Sequence, residues 1–289
     1  MIIKILIPVY NDWQSVSKLL NEINSNLSNL GHEISVIIIN DASNHDRENE
    51  SKNLENIHSI KVLNMKTNIG HARCIATGLK YIYEKEDFDY VIPMDGDGED
   101  RPEEIKEFIN NINNSNGKAI VGQRVKRSEG LLFKFCYQIH KLITLTFTGK
   151  SIKFGNFSCL SKNTVEKMIN EQATWNSFSG SLVKVENDLF PLPSIRGQRY
   201  FGPSKMSFYN LIKHSLSIIS VFRKAFLIRS ALFIILYILF IKSNASIITA
   251  VPLVFLLIAV YAISNLALRE NMEEFDKALS NINDIENIK

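Results

Sequence analysis

Val91–Asp100 reads VIPMDGDGED. An apolar run that suits the end of a buried strand is followed at once by four acids, Asp95, Asp97, Glu99 and Asp100, with Gly96 and Gly98 between them. Carboxylates this close repel one another unless a cation or protons intervene. Glycine in both gaps permits backbone bends and close approach of a ligand. Hard divalent cations take carboxylate oxygens, and Mg²⁺ commonly links protein carboxylates to substrate phosphates. The stretch therefore predicts a cation site for a diphosphate at a strand end. An EF-hand loop is excluded, because Asp100 and Lys106 stand where its glycine and its last glutamate belong. A solvated helix start favoured by the macrodipole accounts for Glu103 and Glu104 but not for the Asp-Gly-Asp before them.

Outward from this stretch, short β-branched runs alternate with helical spacing. Ile2–Ile7, Ile34–Ile39, Ile60–Leu63, Tyr90–Met94 and Ala119–Val121 read as strands. Asp12–Asn29 carries Trp13, Val16, Leu19, Leu20, Ile23 and Leu27 at helical spacing, and Gly31 stops it. A second helix starts near His71, and Pro102 fits the first turn of a third. Strands apolar on both faces between helices predict an α/β fold with a mainly parallel sheet. Ligands of such sheets bind beyond the carboxyl ends of the strands. The polar clusters PVYND, NDASNHD and MDGDGED all fall there.

After about Phe222 the 289-residue chain turns strongly apolar. Ala225–Ile241 and Ile247–Leu268 are each near the length that crosses a bilayer, joined by the short KSNAS. Lys213, Arg223, Lys224 and Arg229 precede the first, which puts that side in the cytoplasm by the positive-inside tendency. An interfacial helix pair is the alternative. The expected organisation is a catalytic domain over 1–205, a juxtamembrane amphipathic segment over 206–224, two transmembrane helices over 225–268 and a cytoplasmic tail over 269–289. The amino terminus, MIIKILIPVY, is too short in apolar core for a signal peptide and is broken by Lys4. Net charge is +3, too mild to argue for nucleic acid. Three scattered cysteines, Cys74, Cys136 and Cys159, exclude a disulfide framework and fit a reducing compartment. The six histidines show no metal spacing, and His71 and His140 read as structural.

With these motifs in order, the chain resembles the inverting GT-A glycosyltransferases of family two, and within them the polyprenyl-phosphate glycosyltransferases. IPVYND resembles the opening nucleotide-binding motif, NDASNHD the second acidic motif, and NIGHARCIATGL the Asn-x-Gly helix start. MDGDGEDRPEEI resembles the metal motif, and RYFGPSKMSF the Arg-x-x-Gly-x-Ser-Lys motif before the membrane helices. The resemblance implies transfer of a sugar from a nucleotide diphosphate sugar to a polyprenyl (undecaprenyl) phosphate. It implies Mg²⁺ or Mn²⁺ on Asp95, Asp97 and Glu99, with Asp97, Arg124 and Arg199 as catalytic residues. Substrate contacts are implied for Pro8, Tyr10, Asp12, Ile39, Asp41, Asp95, Gly96, Arg127 and Lys205, Asp41 facing the base or ribose. At least one of Arg199 and Lys205, just before the membrane segments, is expected to hold the acceptor phosphate, with the donor diphosphate as the alternative for Lys205.

Three departures stand out. Glu99 replaces a glutamine usual in the family, Asn156 and Ser158 replace an acid and a base in its Asp-Phe-Arg segment, and Lys162 replaces an arginine. Tyr10 reads equally as a stacking or a core residue, and Trp175 and Phe178 as acceptor path or packing. Two rivals remain at this stage: transfer to a hydroxyl of a lipid or cell-surface glycan, and a membrane scaffold without catalysis. The sugar, the acceptor length and any homo-oligomer are left open by the sequence.

Overall fold

The computed structural model describes residues 1–289 except 29, 46, 48–53, 127–130 and 204–207. Arg127, Ser204 and Lys205 therefore lie outside the described residues, as do the side chains of Cys136 and His140. The centre of the molecule is β1 (Ile2–Val9), buried along almost its whole length. It lies parallel to β2 (Glu33–Asn40) on one side and β4 (Tyr90–Pro93) on the other. β3 (Ser59–Met65) continues in parallel beyond β2.

These strands are buried on both faces because helices cover both. Ile3, Ile5 and Ile7 point to one core with Val16, Leu19 and Ile23 of α1 (Trp13–Asn26) and Ile105 and Phe108 of α3 (Glu104–Asn110). Leu6, Ile37, Ile39 and Leu63 point to the other, against Ile75, Leu79 and Ile82 of α2 (His71–Lys85). Gly78 sets how close α2 comes to β1, since a Cβ there would lie 2.3 Å from Leu6. Lys4, which interrupts the apolar run in sequence, is buried and paired with Glu86 at 3.3 Å. Glu86 also accepts from Lys61.

The sheet is mixed, with four parallel and three antiparallel strand pairings among the described residues. β6 (Phe154–Ser161) runs antiparallel to both β4 and β5 (Ile120–Lys126), and β7 (Phe190–Ile195) is parallel to β5. β8 (Ile282–Asn287) adds antiparallel to β3. The order among the described residues is β7-β5-β6-β4-β1-β2-β3-β8. The tail after the apolar segments is thus a strand of the same sheet. Its sequence, INDIEN, hides this because an edge strand needs little apolar surface, and five of its six residues are exposed.

Between β5 and β8 lie α4 (Leu131–Thr148), α5 (Lys162–Ile169), α6 (Phe178–Val185), α7 (Phe208–Ser220), α8 (Arg223–Ile241), α9 (Ile247–Ala267) and the short α10 (Met272–Asp276). α8 and α9 have 19 and 21 residues, or about 28 and 32 Å at roughly 1.5 Å per residue. Both are apolar and exposed nearly all round, with Phe240, Ile247 and Phe255 all strongly exposed. Both are long and apolar enough to cross a membrane. Phe147 of α4 packs on Phe226 and Phe233 of α8. Arg229 donates to the carbonyls of Leu145 and Thr146, satisfying the carboxyl end of α4. That explains an arginine inside an apolar segment.

Glu86→Ala should strip Lys4 of its buried partner and cost about 3 kcal/mol or more, the range for breaking a buried ion pair. Chemical unfolding of the variant against the parent protein measures it.

Candidate functional site

The carboxyl ends of β1, β2 and β4 open onto loops that the sequence stitches together. Asp41 N donates to Val9 O, Asn11 N to Ser43 Oγ, and the amides of Asn44 and His45 to Asn11 Oδ1. Tyr10 stands at the rim, 44% exposed, where a ring can stack on a ligand. Asp12 follows, taking a hydrogen bond from Ser15 at 2.7 Å.

The acidic loop beyond β4 is folded on itself. Asp95 N donates to Asp100 Oδ2 at 2.9 Å, and Glu99 N to Asp97 Oδ1 at 3.0 Å. Gly96 is hemmed in: a Cβ would lie 3.1 Å from Val16 and 3.2 Å from Ile7, close to the carbonyl of Pro8. Gly98 has φ +87°, and the ring of Tyr200 occupies the place of its Cβ. Glycine is therefore favoured sterically at both gaps and conformationally at Gly98.

Tyr200 belongs to a segment, 196–201, that clamps the acidic loop. Gly197 N donates to Glu99 O at 2.8 Å and Tyr200 N to Asp97 O at 2.9 Å. Arg196 pairs with Glu99. Arg199 donates to Asp97 Oδ2 at 2.6 Å and to Asp12 Oδ2 with its other nitrogen. The Tyr200 hydroxyl donates to Glu22 of α1. On the far side, Asp95 Oδ1 lies 3.2 Å from His71 Nε2 and 3.3 Å from Asn156 Nδ2. Arg124 reaches Asp100 at 3.9 Å across Gly155.

The charges titrate as this crowding demands. Burial, then the charge of Asp95, pushes Asp97 up to about 6. Burial and Asp95 likewise push Asp100 up to about 7. Burial opposes ionisation of Asp95 too, but His71, Arg124 and Asn156 outweigh it and hold this carboxyl well below the usual range. His71 is raised: burial disfavours its charge, and Asp95 with Asp100 and Asp97 overcomes that.

Some expectations need correction. Ile39 is fully buried in the core beneath the site, so its side chain cannot face a substrate. Asp41 is 4% exposed, and its two carboxylate oxygens accept the amides of Ile69 and Gly70 at 2.7 and 3.0 Å. It fastens the turn that starts α2, where two part-buried amides take its oxygens as acceptors. Glu99 is engaged by Arg196, and no three of the described histidines, cysteines, aspartates and glutamates converge on one point. Asp95 and Asp97 still fit a divalent cation: both offer hard oxygen, and burial together with the charge of Asp95 raises Asp97, a penalty that a cation would relieve. His71, Arg196 and Tyr200 are site residues that the sequence reading missed. His71 was assigned to structure, and in a single sequence the only signal was its place after Asn-x-Gly.

A family model described as Glycosyl transferase family 2 matches residues 4–178. Undecaprenyl-phosphate 4-deoxy-4-formamido-L-arabinose transferase of Klebsiella pneumoniae (strain 342) is 28% identical over 226 residues, covering 73% of this chain and 64% of that protein. A second Klebsiella pneumoniae protein of the same description matches equally, so the chain spans 64% of the length of these curated relatives. Among solved structures, glucosyl-3-phosphoglycerate synthase from Mycobacterium tuberculosis, in complex with Mn²⁺, uridine-diphosphate and glucosyl-3-phosphoglycerate, aligns with a TM-score of 0.54. It is 12% identical, over 77% of this chain and 79% of that one. S. aureus TarS 1–349 aligns with a TM-score of 0.50 at 14% identity, over 97% and 89% of the two chains. The shared architecture is the GT-A fold.

A pH dependence follows from Asp97 and Asp100. Their folded pKa values, about 6 and about 7, exceed those of the unfolded chain. Stability from their protonation is fully present below about pH 4 and is lost as pH rises through 6 to 7. Melting temperature without divalent cation should therefore fall between pH 5 and pH 8, and Mn²⁺ should restore more of it at pH 8. Thermal melts at both values, with Mn²⁺ or with EDTA, check this.

Proposed function

This chain belongs to glycosyl transferase family 2, and on that footing we propose that it is a membrane-bound inverting glycosyltransferase acting on a nucleotide diphosphate sugar and a polyprenyl phosphate, undecaprenyl phosphate in a bacterial setting. The observation that carries the reading is the clamp between the acidic loop and the segment 196–201. It ties a diphosphate-type site directly to the chain entering the membrane-length helices. The curated relatives point to the same acceptor class.

In this reading Asp95 and Asp97 hold Mg²⁺ or Mn²⁺, which would neutralise charge on the leaving diphosphate. Tyr10 at the rim meets the base, and Pro8 and Gly96 let the diphosphate approach the backbone. Asp12 and Arg199 lie beside Asp97, so Arg199 is placed for the diphosphate end of the donor. Arg124, on the Asp95 side, is placed for the second phosphate. Arg127 and Lys205 extend the same basic set along the chain. The lipid phosphate is anionic and attacks the anomeric carbon from the face opposite the leaving diphosphate, so its oxygen forms the new bond as the old C–O bond breaks. No strong base is required. Asn156, where the family resemblance leads one to expect an acid, is consistent with that.

The membrane geometry supports a lipid acceptor. β8 returns to the sheet after α9, which supports a reading in which α8 and α9 cross together as a hairpin, with the domain and both termini on one side. Lys213, Arg223, Lys224, Arg229 and Arg269 flank the hairpin on the domain side, against Lys242 at the far turn, which supports a cytoplasmic placement of that side. α4 exposes Ile139, Leu142, Ile143 and Leu145, and α7 exposes Tyr209 and Ile212, beside the hairpin. In this reading both helices rest in the headgroup layer through these apolar residues.

Purified full-length protein, given a panel of nucleotide diphosphate sugars with undecaprenyl phosphate and Mn²⁺, should form a lipid-linked sugar. Asp97→Asn should lower turnover by about a hundredfold or more. Transfer to an uncharged lipid alcohol in preference to the phosphate would replace this reading with the hydroxyl-acceptor one. Absence of turnover with every donor would leave the scaffold reading.

A further inference from the structure

Asp284 and Glu286 stand on β8, the exposed edge strand that follows the membrane-length helices. Both accept from one group: Asn64 Nδ2 lies 2.7 Å from Asp284 Oδ1 and 2.6 Å from Glu286 Oε1. A carboxylate only accepts, so both hydrogens of the Asn64 amide are taken there and its oxygen faces the other way. That oxygen accepts from Asn40 Nδ2 at 2.8 Å. With its nitrogen so engaged, Asn40 turns its own oxygen to the amide of Ser43, at 3.1 Å. Ser43 Oγ accepts from Asn11 N at 2.9 Å, and Asn11 Oδ1 accepts from the amides of Asn44 and His45. A polar relay therefore runs from the tail strand to both loops at the rim of the site. The orientation of each amide in it follows from the two acids at its far end.

The relay follows the register of the sheet. Val9 pairs with Asn40, Asn40 with Asn64, and Asn64 with Asp284, so these residues form one row across β1, β2, β3 and β8. That row lies at the carboxyl ends of β1 and β2, where the two loops begin. Both loops need holding, because Asn11 has φ +52° and Ala42 φ +55°, left-handed backbone that is unfavourable outside glycine. A strand that only closed the sheet edge would need its backbone ladder alone. β8 also grips the second loop directly: Arg47 pairs with Glu286 at 3.0 Å and lies over the ring of Trp13.

We infer that Asp284 and Glu286 are positioning residues of the nucleotide rim: through Asn64 and Asn40 they hold loops 10–12 and 41–45 in the shape that receives the nucleoside part of a nucleoside diphosphate. The inference rests on the donor reading above, in which Tyr10 meets the base. It gives the tail beyond the helix pair a task at the donor end of the site, separate from the acidic loop that faces the diphosphate.

The test uses full-length protein in detergent with Mn²⁺, into which UDP, GDP and CDP are titrated calorimetrically, the tightest binder serving as probe. The double variant Asp284→Ala with Glu286→Ala and, separately, Asn64→Leu should each weaken the probe by about threefold to tenfold, the loss expected for a hydrogen bond. The double variant Asp284→Asn with Glu286→Gln, whose carbonyls can still accept from Asn64, should stay within about twofold of the parent. Mn²⁺ titrated alone should bind every variant as it binds the parent, because Asp95 and Asp97 lie outside the relay. Parent-like probe affinity in the folded Ala pair would overturn the inference. So would an Asn/Gln pair no better than the Ala pair, or Mn²⁺ affinity falling together with that of the nucleotide. Failure of the parent to bind any of the three nucleotides would overturn the donor reading instead. Both acids are exposed, so the Ala pair is expected to keep the fold, which melting temperatures check.

Discussion

Arg199 between Asp97 and Asp12 is the contact on which the rest of the site depends. Four acids beyond β4 and a fifth at the start of α1 lie at one edge of the sheet, and the protein's own cations pair with them. Arg199 meets Asp97 and Asp12, Arg196 meets Glu99, and His71 meets Asp95. Without such partners, carboxylates this buried would be driven to protonate. Asp97 and Asp100 go part of the way even so. The site is therefore poised between internal cations and an external one, which is a useful condition for binding a metal together with a charged diphosphate.

The same contact joins the site to the two membrane-length helices. Segment 196–201 lies on the acidic loop through two backbone hydrogen bonds and the Tyr200 ring over Gly98, then leads to α7 and the hairpin. β8 brings the chain back to β3, and its last residue anchors to Leu54 and Ile57 through the Lys289 amine. The pair α8 and α9 is thus tied to the domain both before and after it.

The first half of the fold was legible in the sequence because each strand there is buried on both faces and each helix has one apolar stripe. β1 to β4, α1 and α2 all fall within a few residues of where periodicity puts them. The later strands were not legible. β6 is rich in small polar residues, β7 holds two prolines, and β8 is an exposed edge, so none shows a continuous apolar run. The helices α8 and α9 were legible from apolar length alone. At the site, the acids declared themselves by crowding, but their partners did not. Asp41 and His71 sit in motifs whose residue types suit either ligand or scaffold. Only the fold shows that the acid fastens a turn while the histidine faces Asp95.

The central claim is that a guanidinium and a metal ion share the Asp97 carboxylate. The direct measurement is isothermal titration of Mn²⁺ into Arg199→Met protein and parent protein without donor. Removing a charge-assisted hydrogen bond worth about 1.5–3 kcal/mol frees Asp97 for the ion. The variant is then expected to bind Mn²⁺ about tenfold more tightly than the parent. Equal or weaker binding by a folded Arg199→Met protein would contradict the claim.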